Sequence, residues 1–137
     1  MTFACEAYEE FYQGNPPIPT RYLRQTLSLI LQENSFQFNG KDFLQSHGTA
    51  MGTKMAVAFA NIFMAKIERA ILRQSNTTPI FWKRFIDDII SMWDTNRDKI
   101  EEFLLKANNF HPTIKFTAEI SEKETIFLDT IVTQQQQ

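Results

Sequence analysis

The stretch Arg84-Phe85-Ile86-Asp87-Asp88-Ile89 places two adjacent aspartates between apolar residues. It lies inside the apolar run 80–93, a pattern that favours two short strands joined by a tight turn. The sequence therefore predicts a hairpin in a buried sheet, with Asp87 and Asp88 at its tip. Two carboxylates held so close repel each other, and a divalent cation relieves that repulsion. Such a pair suits a two-metal phosphoryl-transfer site, although aspartate is also common in ordinary polar turns.

Two further motifs flank this hairpin. Upstream, residues 45–56 have the sequence QSHGTAMGTKMA and lead into the apolar segment 57–64. Downstream, residues 127–132 have the sequence FLDTIV. Together with residues 82–88, and in this order and spacing, these motifs resemble the reverse transcriptase domain of Penelope-like retroelements. The resemblance covers most of the chain, from residue 19 to residue 132.

The resemblance implies an RNA-directed DNA polymerase that uses an RNA template, a DNA primer and deoxynucleotides. In that chemistry two Mg²⁺ ions activate the primer 3′-hydroxyl and neutralise the pyrophosphate leaving group. Matched by motif, Asp87 is expected to ligate metal and Asp88 to support it. Phe85 stands where the family usually has tyrosine, so the ring is kept and any hydrogen bond from a hydroxyl is lost.

The glycine-rich segment is expected, by the same resemblance, to lie near the template and the incoming nucleotide. With Phe85, the matching residues form the predicted nucleotide- and template-binding set: Gln45, Gly48, Gly52 and Lys54. Glycines at such positions let backbone approach nucleic acid closely. Without the resemblance, the same residues are equally compatible with a plain turn from a loop into a helix.

One expected carboxylate is missing. In the family, a first metal-binding aspartate stands on a strand before the glycine-rich segment. The acids that precede this segment here stand in other contexts: Glu6, Glu9, Glu10, Glu33 and Asp42. The sequence therefore predicts a fragment of a reverse transcriptase with an incomplete two-metal site, inactive alone. Two alternatives stay open: a non-catalytic remnant that binds nucleic acid through the basic stretch 54–84, and a transposon relic without function.

The composition indicates a folded domain, and its charge is unevenly distributed along the chain. Of 137 residues, 43% are hydrophobic and 13 are phenylalanine, which is enough for a core. The net charge is −2, but residues 47–86 carry six Lys/Arg against one acid, Glu68, and so a local charge of +5. A basic segment of this kind can contact phosphates. For Lys66, Arg69 and Arg73, a solvated helix face is an equally good explanation.

Several other classes of protein are excluded or disfavoured. A single cysteine, Cys5, excludes an internal disulfide and a cysteine-based zinc site, and two histidines exclude a histidine metal cluster. No apolar stretch approaches the ~20 residues of a membrane span, and the N-terminal residues lack a signal-peptide pattern. We therefore expect an intracellular protein, in nucleus or cytoplasm, that has no membrane partner.

Hydrophobic periodicity and turn residues predict the order of elements. We expect helix 3–12, helix 20–33 with Thr20 as N-cap, a hairpin at Asn39-Gly40, helix 54–73, hairpin 80–93, a helix from a Thr95–Asp98 capping box to 109, and strands 114–120 and 126–132. This order predicts an α+β fold with a mostly antiparallel sheet packed on helices. The resemblance implies a partial polymerase palm over residues 1–133. The glutamines 134–137 depart from the family, and we expect them to form a disordered tail.

Overall fold

The computed structural model describes residues 1–50 and 52–134 of the chain. Over these residues helices alternate with antiparallel strand pairs, so the predicted α+β class is confirmed. The helices are α1 (Thr2–Phe11), α2 (Thr20–Gln32), α3 (Ala56–Gln74) and α4 (Arg97–Phe110). The strands are β1 (Ser35–Phe38), β2 (Lys41–Leu44), β3 (Phe81–Phe85), β4 (Asp88–Met92), β5 (Glu124–Phe127) and β6 (Thr130–Thr133).

The strands do not combine into the one sheet that the sequence predicts. In the described part of the chain they form three separate two-stranded sheets, β1–β2, β3–β4 and β5–β6, each antiparallel. The chain divides into two compact units, residues 1–66 and 67–137, and the division falls inside α3. The predicted antiparallel pairing of strands is therefore confirmed. The prediction of one continuous sheet is wrong, and the polymerase palm stays a prediction.

In the first unit, aromatic side chains join α1 to the N-terminal part of α3. The ring of Phe3 packs against the rings of Phe59 and Phe63, at centroid distances of 4.7 and 5.3 Å. The hydroxyl of Tyr8 donates a hydrogen bond to the carbonyl of Ile18 at 3.2 Å. This bond fixes the proline-rich loop between α1 and α2 against α1.

The hairpin β1–β2 forms at the predicted turn. Asn39 and Gly40 both have positive φ, 49° and 72°, as the favoured two-residue hairpin turn requires. Phe36 lies opposite Phe43 in the register that follows. The prediction is confirmed because the turn residues alone determine the loop length and with it the register of the strands.

Two helix starts differ from the prediction. Thr20 is the first residue of α2 instead of its N-cap, and Pro19 occupies the cap position without a side-chain hydrogen bond. α4 is capped by Asn96, whose side-chain oxygen accepts from the backbone N–H of Lys99 at 3.1 Å. The predicted Thr95–Asp98 capping box is therefore wrong by one residue, because asparagine is a stronger N-cap than threonine.

The core of the second unit is aromatic. Phe103 of α4 packs edge-on against Trp82 and Trp93, at centroid distances of 5.8 and 4.8 Å. The ring centroid of Trp82 also lies 6.5 Å from that of Phe116. The buried aliphatic residues of this unit are Ile67, Ile71, Ile100 and Ala107. The buried face of α4 is formed by Ile100, Phe103 and Ala107.

The predicted strand 114–120 is wrong, because these residues are not paired with a strand. The side chain of Asn108, on α4, takes the place of a neighbouring strand. Its Oδ1 accepts from the Phe116 N–H at 2.6 Å, and its Nδ2 donates to the Phe116 carbonyl at 2.9 Å. One side-chain amide therefore satisfies both backbone groups of a residue that a sheet would otherwise satisfy.

The predicted single strand 126–132 is also wrong. The segment folds back on itself as the hairpin β5–β6, with Leu128-Asp129 as a two-residue loop. Gln134, the first residue of the predicted tail, extends this pairing, because its N–H donates to the carbonyl of Lys123 at 2.9 Å. The rest of that tail, 135–137, lies outside the described residues.

Replacing Asn108 tests its role as a substitute strand. We expect Asn108→Ala to lower the free energy of unfolding by about 1–3 kcal/mol, because the backbone groups of Phe116 lose both partners in a part-buried place. The matched control is Asn109→Ala, at an exposed position one residue on, where we expect a change within about 0.5 kcal/mol. Urea unfolding measures both. Equal losses in the two variants would contradict the assignment.

Candidate functional site

The acid pair lies on the hairpin β3–β4, in the second unit. Phe85 is paired with Asp88, so the loop consists only of Ile86 and Asp87. The prediction of a position at the tip is therefore confirmed for Asp87, whereas Asp88 is the first residue of β4. Because directly opposite residues of an antiparallel pair share a face, Asp88 and Phe85 point to the same side of the hairpin.

The hairpin is not the buried sheet that the sequence predicts. Asp87 and Asp88 are exposed, and Phe85 and Ile86 keep 55% and 60% of their surface accessible. The prediction of burial was wrong because the alternation along β3 buries the face opposite to the one that carries the phenylalanines. On β3 the half-buried positions are Trp82 and Arg84, while the phenylalanines of the strand face outward.

A nearly buried ion pair holds the base of the loop. Arg84 Nε donates to Glu68 Oε1 at 2.8 Å, and the two side chains keep only 10% and 11% of their surface exposed. Trp82 Nε1 adds a longer hydrogen bond of 3.4 Å to the same carboxylate oxygen. Arg84 Nη1 in turn donates to the carbonyl of Ile86 at 2.9 Å. A charged contact thus runs from α3 through β3 to the loop that carries Asp87.

Sequence reasoning did not find this pair. In the sequence, Glu68 is notable only as the single acid of a basic segment. Its distance from Arg84 along the chain matches no motif that would predict an ion pair. The ion pair also changes the meaning of the basic stretch 54–84. Arg84 neutralises Glu68 instead of facing phosphate, and Lys66 is ion-paired within the first unit. Lys54 and Lys83 are the stretch's exposed lysines outside an assigned ion pair.

The loop carries backbone strain. Ile86 has φ = 56°, and a β-branched residue is rarely found in this left-handed region. Leu128, the first loop residue of β5–β6, has nearly the same φ, 54°. The two hairpins share one construction, since the sequences 85–90 (FIDDII) and 127–132 (FLDTIV) match in residue type around a two-residue loop except at one position, where Asp88 corresponds to Thr130. This similarity could have predicted that Asp129 lies in a loop, whereas the sequence prediction placed it inside the strand 126–132.

The carboxylates of Asp87 and Asp88 form no ion pair or side-chain hydrogen bond with the described residues. Among residues 1–50 and 52–134, no group of three or more His, Cys, Asp or Glu could hold a metal ion. Asp129 therefore does not complete a carboxylate cluster with the pair. Two exposed carboxylates do not make a closed metal cage, but they fit the way Mg²⁺ is bound by one or two carboxylates together with substrate phosphates.

The glycine-rich segment lies in the first unit and borders an open cleft of about 650 Å³. Sites for small ligands commonly have this size. The lining residues, which include Gln45 and Gly52 of the predicted set, are Asn34, Ser35, Phe36, Gln45, Thr49, Ala50, Gly52 and Thr53. The cleft offers one aromatic ring among side-chain amides and hydroxyls, a lining suited to a flat, polar ligand.

Gln45 organises the glycine-rich loop. Its Oε1 accepts from Asn34 Nδ2 at 2.8 Å, and its Nε2 donates to the carbonyl of His47 at 2.8 Å. Gly48 has φ = 79°, a conformation that favours glycine, and a Cβ there would make a tight contact of 3.3 Å with Gln45 Nε2. The amide of Gln45 thus holds the loop in place, and its direct contact with a nucleotide stays a prediction. Lys54 is exposed just before α3 begins.

Comparison with known proteins was negative: no protein-family model, curated protein or solved structure matches this chain. The reverse transcriptase family therefore stays a prediction from the three motifs. Among the described helices, none is long and apolar enough to cross a membrane.

Removing the charge of Glu68 tests the ion pair. We expect Glu68→Gln to lower the free energy of unfolding by about 3 kcal/mol, because it removes the carboxylate charge that Arg84 Nε contacts in a nearly buried place. The matched control is Glu101→Gln, which removes the same charge from the exposed pair with Arg97 and should cost less than about 0.5 kcal/mol. Chemical denaturation measures both; a loss below 1 kcal/mol for Glu68→Gln would contradict the role given to the pair.

Relieving the strained loop residue should stabilise the chain. We expect Ile86→Gly to raise the free energy of unfolding by about 1 kcal/mol, because glycine adopts positive φ without steric cost and Ile86 buries little surface. The control is Ile126→Gly, at a similarly exposed position inside β5, which should lose about 0.5–1 kcal/mol. Thermal and urea unfolding compare them. Destabilisation of equal size in both variants would show that Ile86 is not strained.

Proposed function

We propose that this chain carries the carboxylate hairpin of an RNA-directed DNA polymerase, and that Asp87 and Asp88 bind Mg²⁺ together with phosphate groups. The observation that supports this function is a pair of adjacent, exposed carboxylates that make no ion pair or side-chain hydrogen bond with the described residues, on a hairpin whose loop contacts a nearly buried ion pair. The agreement of three motifs in order and spacing supplies the reaction class.

In this function each residue of the hairpin has a distinct role. Asp87, in the loop, is the primary ligand, and Asp88, at the start of β4, lies beside it on the face of Phe85. The ring of Phe85 is exposed on that face and contacts the apolar side of a nucleotide without a hydroxyl hydrogen bond. When bound, Mg²⁺ stabilises the charge that develops as the primer 3′-hydroxyl displaces pyrophosphate.

The hairpin supplies only part of such a site. No third ligand lies with Asp87 and Asp88 within the described residues, so phosphates and at least one further carboxylate must complete the coordination. We therefore propose that the hairpin binds metal and nucleotide phosphate weakly and does not extend a primer by itself.

The alternative function is nucleic-acid binding without catalysis. It is supported by the exposed lysines of the basic stretch, Lys54 and Lys83, which can contact phosphates whether or not metal is present. It differs from the main proposal in one respect, since it needs neither Asp87 nor Asp88.

Paramagnetic Mn²⁺, used in place of Mg²⁺, tests the metal site. We expect Mn²⁺ to broaden the NMR signals of the backbone amides of 86–88 first, and Asp87→Ala to weaken this effect at least about tenfold, because it removes one of two ligands. The matched control is Asp129→Ala, at the same place in the loop of β5–β6 but without an adjacent carboxylate. Equal effects of the two substitutions would sink the metal site at Asp87.

An RNA–DNA hybrid then separates the two functions. Fluorescence anisotropy of a labelled hybrid is measured with and without Mg²⁺, at low and at moderate salt. The polymerase function predicts a gain in affinity from Mg²⁺ that disappears in Asp87→Ala. Binding that depends on salt alone and is unchanged in Asp87→Ala supports the non-catalytic alternative.

A further inference from the structure

The hairpin β1–β2 turns an aromatic face to solvent. Residues two apart on a strand, and residues directly opposite across an antiparallel pair, share one face. The register Phe36–Phe43 and Phe38–Lys41 therefore places three phenylalanines and one lysine on the same side. The exposed fractions of Phe36, Phe38 and Phe43 are 53%, 70% and 43%.

Two of these rings are already arranged as a stack. The ring centroids of Phe36 and Phe43 are 5.6 Å apart with an angle of only 20° between the ring planes. The aromatic contacts of the second unit's core are instead edge-on, at angles of 65° to 67°. The face therefore presents nearly parallel ring surfaces that the fold does not use for its own core.

The aromatic face continues into the cleft of the glycine-rich segment. Phe36 belongs to both, since it also lines that cleft of about 650 Å³. The polar groups beyond it include the side chains of Asn34, Thr49 and Thr53. Hydrogen-bonding residues therefore lie in the cleft that Phe36 borders.

We propose that the face Phe36, Phe38, Lys41 and Phe43 binds the unpaired bases of a single nucleic-acid strand. Aromatic side chains displayed on a small sheet stack on bases, whatever their sequence, and a neighbouring cation contacts the phosphates. Lys41 supplies that cation, and the one acid of the hairpin, Asp42, points to the other face. The inference rests on the proposed function for the kind of partner, but it uses neither metal nor the aspartates of β3–β4.

The available area favours this partner over a second copy of the chain. A buried aromatic side chain contributes ~150–250 Å², so three half-exposed rings offer on the order of 300 Å² of apolar surface. A stable protein interface buries roughly 800 Å² per partner. A strand whose bases stack one at a time needs no wider surface, because each stacked base contributes separately.

Fluorescence anisotropy of labelled 12-nucleotide strands, measured in the presence of EDTA, tests the proposal. The probes are oligouridine and an abasic strand of the same length and charge. The variants are Phe43→Ala, Phe43→Trp and, as matched control, Phe11→Ala, which removes the most exposed phenylalanine of α1 in the same unit. We expect the wild type to bind oligouridine about tenfold tighter than the abasic strand, Phe43→Ala to lose most of that difference, and Phe11→Ala to keep it.

Phe43→Trp should retain the preference for bases, and its fluorescence should be quenched by oligouridine beyond any quenching in the wild type. This readout holds even if Phe43→Ala disturbs the hairpin. Equal affinity for the two strands, equal effects of Phe43→Ala and Phe11→Ala, or self-association that only Phe43→Ala abolishes would each overturn the proposal. Because the assay contains no metal, its failure leaves the Mn²⁺ result at Asp87 standing, and the reverse also holds.

Discussion

The ion pair between Glu68 and Arg84 is the contact on which the candidate site depends. Both side chains are nearly buried, so neither charge can be left unpaired without a large cost in free energy. Arg84 has several N–H donors, and one of them donates to the carbonyl of Ile86. The position of the loop backbone is therefore coupled to α3 through these contacts.

This coupling restrains an unfavourable loop. The turn has a β-branched residue at positive φ and an acidic residue next to a second one, with no glycine to ease the bend. Strain of this kind survives where surrounding structure determines the backbone, and it is concentrated at functional sites. The matching loop of β5–β6 has similar strain but a single carboxylate, so the acid pair, and not the turn, is what distinguishes β3–β4.

The elements that the sequence predicted well are those set by local chemistry. Asn39-Gly40 determines its hairpin by itself, and helical periodicity located α1 to α4 within a few residues. The errors lie where distant residues decide. Asn108 replaces the strand partner of Phe116, and Arg84 turns inward toward Glu68, which reverses the expected burial of β3. Neither contact leaves a trace in hydrophobic alternation, because a single polar side chain on another element makes it.

We expect the ion pair to order the loop and not merely to add stability. The double variant Glu68→Leu, Arg84→Met separates these effects, since apolar residues of similar size often keep a protein folded after a buried ion pair is removed. Backbone ¹⁵N relaxation at Ile86 and Asp87 is the measurement to make. In the folded variant we predict order parameters that fall from about 0.85 to below about 0.6 at these residues alone. A loop that stays rigid without the ion pair would contradict the role given to Glu68 and Arg84.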